Sequence, residues 1–132
     1  MPNKLELGIT GSASCIVTEA DTAKAVGSGG VDVMSTPRLV ALMENAAKDS
    51  VANCLEEGMT TVGTALNIQH MAATPVGMKC TAESKLIEID RRRLVFELTA
   101  YDDVEVVGKG THERFIVGSD KFVAKCNAKK KA

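Results

Sequence analysis

One long helix followed by nothing but strand-like segments is the pattern that most limits this chain. "STPRLVALMENAAKDSVANCLEE" repeats apolar residues at helical spacing across 37–57. Ser35 or Thr36 can cap its start, Pro37 suits the first turn and Gly58 can stop it. Segments 60–73, 78–90, 93–107 and 109–118 then favour strand in immediate succession, broken by "ATPVG", "DRRR" and "VGKG". An earlier strand is read at 5–17, and "SDKFVAKCNAKKKA" is a short helix or an irregular tail. Strands joined so tightly pair as an antiparallel meander. A helix of about 20 residues is long enough to lie across such a sheet. The order therefore predicts an α+β chain, with an antiparallel sheet of about five strands wrapped around one long helix.

The length of 132 residues suits a single domain over 1–132 with a real core. With three Phe, one Tyr and no Trp, that core must rest on aliphatic side chains. A net charge of −1 supplies no field for nucleic acid or an anionic membrane, and the terminal "KKK" reads as a solvated tail. Cys15, Cys54, Cys80 and Cys126 lie too far apart in sequence for a metal-knuckle or redox CxxC spacing. "GSGG" at 27–30 is a flexible loop without the surroundings of a phosphate cradle. Neither a signal peptide nor an apolar run of ~18 residues is present, so a cytoplasmic protein with reduced thiols is expected. Neither a cofactor nor a metal is called for.

Two residues violate the apolar pattern. At ~100° per residue, Glu44 falls between Val51 and Leu55, well inside the apolar arc of the helix. Period-two alternation puts Val62, Thr64, Leu66, Ile68 and His70 on one strand face, so His70 extends an apolar row. A histidine in that position is most often a satisfied core residue, and a glutamate can be a paired structural one. Both together point to acid–base chemistry, because burying an unpaired carboxylate is costly and such residues concentrate at functional sites. Thr36 adds a third polar group at the helix start, where capping is its simplest role.

At these residues the chain resembles the hotdog-fold acyl-CoA thioesterases, most closely the fluoroacetyl-CoA thioesterase-like branch. The resemblance lies in "STPRLVALMENAA", "VGTALNIQHMAATPVG" and "GTHERFIV", and runs from about residue 33 onward. It implies Thr36, Glu44 and His70 as the catalytic group. It implies Gly63 as a backbone donor toward the thioester oxygen, and Arg114 as a contact for the coenzyme A phosphates or pantetheine arm. It further implies an acyl-CoA substrate and a homodimer with sites at the subunit interface; one helix cannot cover every apolar surface of five strands, so pairing of dimers into a tetramer is a further expectation. Residues 25–34, "AVGSGGVDVM", hold no aromatic side chain where a fluoroacetyl-selective member would carry an aromatic gate. Ordinary short or medium acyl-CoAs are therefore the expected substrates.

Thioester hydrolysis needs an attacking group, a stabilised oxyanion and a departing thiolate. Glu44 can activate water as a general base or attack the carbonyl itself. His70 can orient the attacking group or protonate the leaving sulfur, and Thr36 can hold the carboxylate or a water, or take a more direct nucleophilic part. Gly63 can instead simply relieve crowding between strand and helix. His112 has no clear partner in the pattern and reads as structural. The rival expectation is a non-catalytic acyl-CoA binding or sensing module with the same pocket and no turnover.

Overall fold

Ser35, not Thr36, caps the long helix. Its Oγ accepts from the Arg38 N–H at 3.1 Å, and helix α2 runs from Thr36 to Val51. That is shorter than the expected 37–57. Ala52–Cys54 form a 3-10 turn, in which Asn53 accepts from the Asn3 N–H and the Cys54 thiol reaches the Lys4 carbonyl. These ties to the N-terminal segment take the chain off the helix axis before Gly58, which turns it into the next strand at φ 82°.

The computed structural model describes residues 3–131. Besides α2, these form β1 (Thr10–Ile16), α1 (Ala23–Val26), β2 (Met59–His70), β3 (Lys79–Asp90), β4 (Arg93–Asp102), β5 (Val106–Gly118) and α3 (Ser119–Asn127). The strands make one antiparallel sheet in the order β1-β3-β4-β5-β2, which curls around α2. The expected meander is thus β3-β4-β5, with β2 and β1 on the two edges. No helix among the described residues is long and apolar enough to cross a membrane.

Leu39, Leu42, Met43, Ala46, Ala47 and Val51 form the buried stripe of α2. They pack on Leu86, Leu94, Phe96 and Leu98 of the sheet, all essentially without solvent exposure. Each such large side chain stabilises the fold by roughly 1.5–3 kcal/mol. The "VGKG" break is misplaced. The β4–β5 turn comes earlier, at 103–105, where the Asp102 carboxylate accepts from the Val104 and Glu105 N–H groups at 2.8 and 3.0 Å. Gly108 lies inside β5, where a Cβ would stand 3.0 Å from the Leu39 side chain, so its role is close helix–sheet approach. The first strand is also shorter than 5–17, beginning at Thr10.

A β-bulge decides which way β2 faces. Gly63 pairs with Arg114 and Ala65 with Glu113, leaving Thr64 as the extra residue. The expected row of Val62, Thr64, Leu66, Ile68 and His70 is therefore broken. Thr61 and Gly63 join Leu66, Ile68 and His70 on the helix side, while Val62 lies beside Phe115 on the other face. Residues 63–67 are all exposed on this edge strand, Leu66 included.

Candidate active site

Two polar groups sit on the helix side of β2, one near each end. The first joins Thr36 and His70. With Ser35 as the cap, the Thr36 hydroxyl is free to meet His70, and its Oγ1 lies 2.7 Å from Nδ1. His70 Nε2 is buried and has no hydrogen-bond partner among the described residues. Leaving a buried polar atom unpaired costs roughly 1–3 kcal/mol, so this nitrogen is a natural place for a ligand atom. Burial pushes the imidazole below its ordinary pKa of 6.5, which keeps it neutral at pH 7.

The second group gathers around Glu44. Its Oε2 lies 3.6 Å from Arg114 Nη1, with side-chain exposures of 42% for the glutamate and 6% for the arginine. The carboxylate is thus half-exposed and paired, not buried and alone as the wheel implied. The guanidinium lies under the sheet. Its Nε donates to Thr61 Oγ1 at 2.7 Å, and Nη2 donates to the Thr61 carbonyl at 2.8 Å. Arg114 is turned toward Glu44 and Thr61, inside the fold.

Gly63 makes room for that carboxylate. A Cβ there would stand 2.7 Å from Glu44 Oε2 and 3.2 Å from His112 Cε1. The glutamate tip can swing aside, so Gly63→Ala should move the carboxylate without unfolding the protein. The expected outcome is a ~10–100-fold loss of turnover with a nearly unchanged melting temperature. Kinetics and thermal melting on one preparation check it, and an alanine variant as active as wild type would show that the close approach is irrelevant.

His112, expected to be structural and without a clear partner, has two. It is 2% exposed and lies in this second group, with Nδ1 2.8 Å from the Ala65 carbonyl and Nε2 3.2 Å from Arg114 Nη1. The available signal was its spacing of two from Arg114, which puts both on one strand face.

Within one chain the two groups stay apart. Thr36 and Glu44 are eight residues apart on α2, or about 12 Å along its axis. No hydrogen bond or ion pair among the described residues links the groups.

A family model described as the fluoroacetyl-CoA-specific thioesterase FlK matches residues 17–120. The chain belongs to the FlK family. The fluoroacetyl-CoA thioesterase of Streptantibioticus cattleyicolor is 40% identical over 98 residues, covering 74% of this chain and 70% of that protein. A crystal structure of the fluoroacetyl-CoA thioesterase FlK superposes with a TM-score of 0.91 at 32% identity, covering 96% of this chain and 98% of that one. The Thermus thermophilus protein TTHA0967, a thioesterase superfamily member, shares the fold with a TM-score of 0.89 at 24% identity, covering 98% and 96% of the two chains. The fold is the expected hotdog, α+β with the sheet curled around one long helix. The FlK family span includes both polar groups and the aromatic-free segment 25–34.

Proposed function

We propose that the protein hydrolyses an acyl-CoA thioester to the free acid and coenzyme A, at a site completed by a second copy of the chain. FlK-family membership supports the reaction class. The observation that carries the site is the placing of Thr36–His70 and Glu44–Gly63–Arg114 on the same side of one edge strand. We take residues 1–132 as one such domain.

The exposed 63–67 run of β2 is the natural seam for a homodimer, because an uncovered strand edge invites pairing. Two copies of β2 running antiparallel about a two-fold normal to the sheet keep both α2 helices on one side. Such pairing brings Thr36 and His70 toward Gly63 and Glu44 of the partner subunit. A thioester between them meets a carboxylate from one subunit and an imidazole from the other. Glu44 takes a proton from water, which adds to the thioester carbon; alternatively the carboxylate itself attacks and water then opens the anhydride. In either route the C–S bond breaks and the sulfur departs as a thiolate, which recovers the proton taken from water, while the neutral His70 imidazole orients the attacking group. A Gly63 N–H directed at the oxyanion would contribute ~3 kcal/mol of transition-state stabilisation.

Incubation with a panel of acyl-CoAs and a thiol-detecting reagent tests this reading. Release of coenzyme A supports it, whereas saturable binding without release would favour the non-catalytic sensing module. Within that panel, the fluoroacetyl and acetyl thioesters should have kcat/KM values within ~10-fold of each other. The segment 25–34 offers only Val26, Val31, Val33 and Met34 as large side chains, and Val31 points into solvent. A preference for fluoroacetyl-CoA well above that ratio would show that selectivity needs no aromatic gate. The thiols of Cys15, Cys54, Cys80 and Cys126 are all free, which fits a reducing cytoplasm.

A further inference from the structure

We propose that His112 is a positioning residue for the Glu44 carboxylate, acting through Arg114. The inference rests on the thioesterase reading for its effect on turnover, but its structural part stands on hydrogen-bond direction alone. The partner of His112 Nδ1 is the Ala65 carbonyl, at 2.8 Å, and a carbonyl can only accept. The partner of Nε2 is Arg114 Nη1, at 3.2 Å, and a guanidinium can only donate. The two contacts together allow one form of the ring: proton on Nδ1, bare lone pair on Nε2. A doubly protonated ring would aim an N–H at the arginine. Burial, which pushes this imidazole below 6.5, opposes that form as well.

The bulge makes the arrangement available. Its extra residue, Thr64, breaks the regular register of β2 next to Ala65, and the Ala65 carbonyl accepts from a side chain reaching across from β5. His112 is thereby anchored to β2 at one nitrogen and holds Arg114 at the other.

The hydrogens of Arg114 are shared among Thr61, His112 and Glu44. Nε–H goes to Thr61 Oγ1 and an Nη2–H to the Thr61 carbonyl, which fixes one edge of the plane. Nη1 carries two hydrogens. One is taken by His112 Nε2, and Glu44 Oε2 lies 3.6 Å from the same nitrogen. With the ring acceptor in place, the guanidinium cannot turn its Nη1 hydrogens away from the glutamate without losing a buried hydrogen bond. The carboxylate is half-exposed and otherwise free to swing, so this contact decides where its reacting oxygen stands.

Two substitutions separate positioning from scaffolding. In His112→Gln the side-chain oxygen reaches about as far as Nε2 and can accept from Arg114, but nothing donates to Ala65. In His112→Asn the amide nitrogen reaches about as far as Nδ1 and can donate to the Ala65 carbonyl, but Arg114 loses its acceptor. The expected result is a kcat within about threefold of wild type for His112→Gln, and a ~10–100-fold lower kcat with little change in KM for His112→Asn. The reverse order would overturn the proposal, since it would mean that His112 only pins the bulge. Thermal melting of both variants shows that each is folded, and a loss of kcat in proportion to unfolded protein also counts against it. Imidazole ¹⁵N chemical shifts of the free wild-type protein give a readout apart from turnover. A protonated Nδ1 with a bare Nε2 at pH 7 is expected, and an Nε2–H or doubly protonated ring would refute the assignment whether or not the protein hydrolyses thioesters.

Discussion

Glu44→Gln should lower acyl-CoA hydrolysis by at least ~100-fold, the lower range for losing a general acid–base group. The amide keeps the size of the side chain and an oxygen for Arg114 Nη1, but it can neither take a proton from water nor attack a carbonyl. Stability should barely move. The carboxylate end is 42% exposed, so solvent screening keeps the pair's contribution to about 1 kcal/mol even though Arg114 is buried. Arg114 also retains its bonds to Thr61 and His112 when the charge opposite it is gone. A purely structural Glu44 gives a different outcome: activity then falls only as far as the folded fraction falls. Melting temperature and turnover from the same preparation distinguish them, and a stable, fully active Glu44→Gln protein would end the catalytic assignment.

The residues that local pattern could reveal are those whose meaning is local. The start of α2 follows from Ser35 and Pro37, and the helical period brings Glu44 to the edge of the buried stripe, though not inside it. The β3–β4 turn at "DRRR" follows from a charged break between two strand runs, with Asp90 and Arg93 paired across it. What was missed depends on pairing between distant segments. The bulge at Thr64 exists only relative to β5, and it moves Gly63 rather than Val62 to the helix side. Gly108 and Gly110 look like turn residues, yet they sit within β5. At Gly108 the reason is the approach of α2 from above, which no window of β5 can show. His112 looked unpartnered because one partner, Ala65, lies on another strand across an unanticipated register shift, and the other, Arg114, meets it only by turning under the sheet two residues along β5. The site residues themselves were legible as types, whereas their division into two groups was not. That division comes from α2 and β2 running in opposite senses, with Thr36 near His70 at one end and Glu44 near Gly63 at the other.

This division makes the second large effect testable by mixing two dead proteins. Glu44→Gln and His70→Asn should each be nearly inactive alone. If every site draws Glu44 from one subunit and His70 from the other, a dimer of one variant with the other holds one site with both defects and one site with neither. Random reassociation makes half of the dimers mixed, so about one quarter of all sites are intact. Co-expression or joint refolding should therefore raise activity from ~1% of wild type to about 25%, and a mixed dimer isolated through two different affinity tags should reach about half. If one chain supplies the whole site, every site keeps one defect, and the mixed dimer stays as inactive as its parents. The geometry favours the first outcome: on one helix the two groups are about 12 Å apart, with Glu44 turned toward Gly63 and Arg114 rather than toward His70. A verified mixed dimer without recovered turnover would place the reacting carboxylate and imidazole in a single subunit and remove the reason for reading β2 as the seam of the active site.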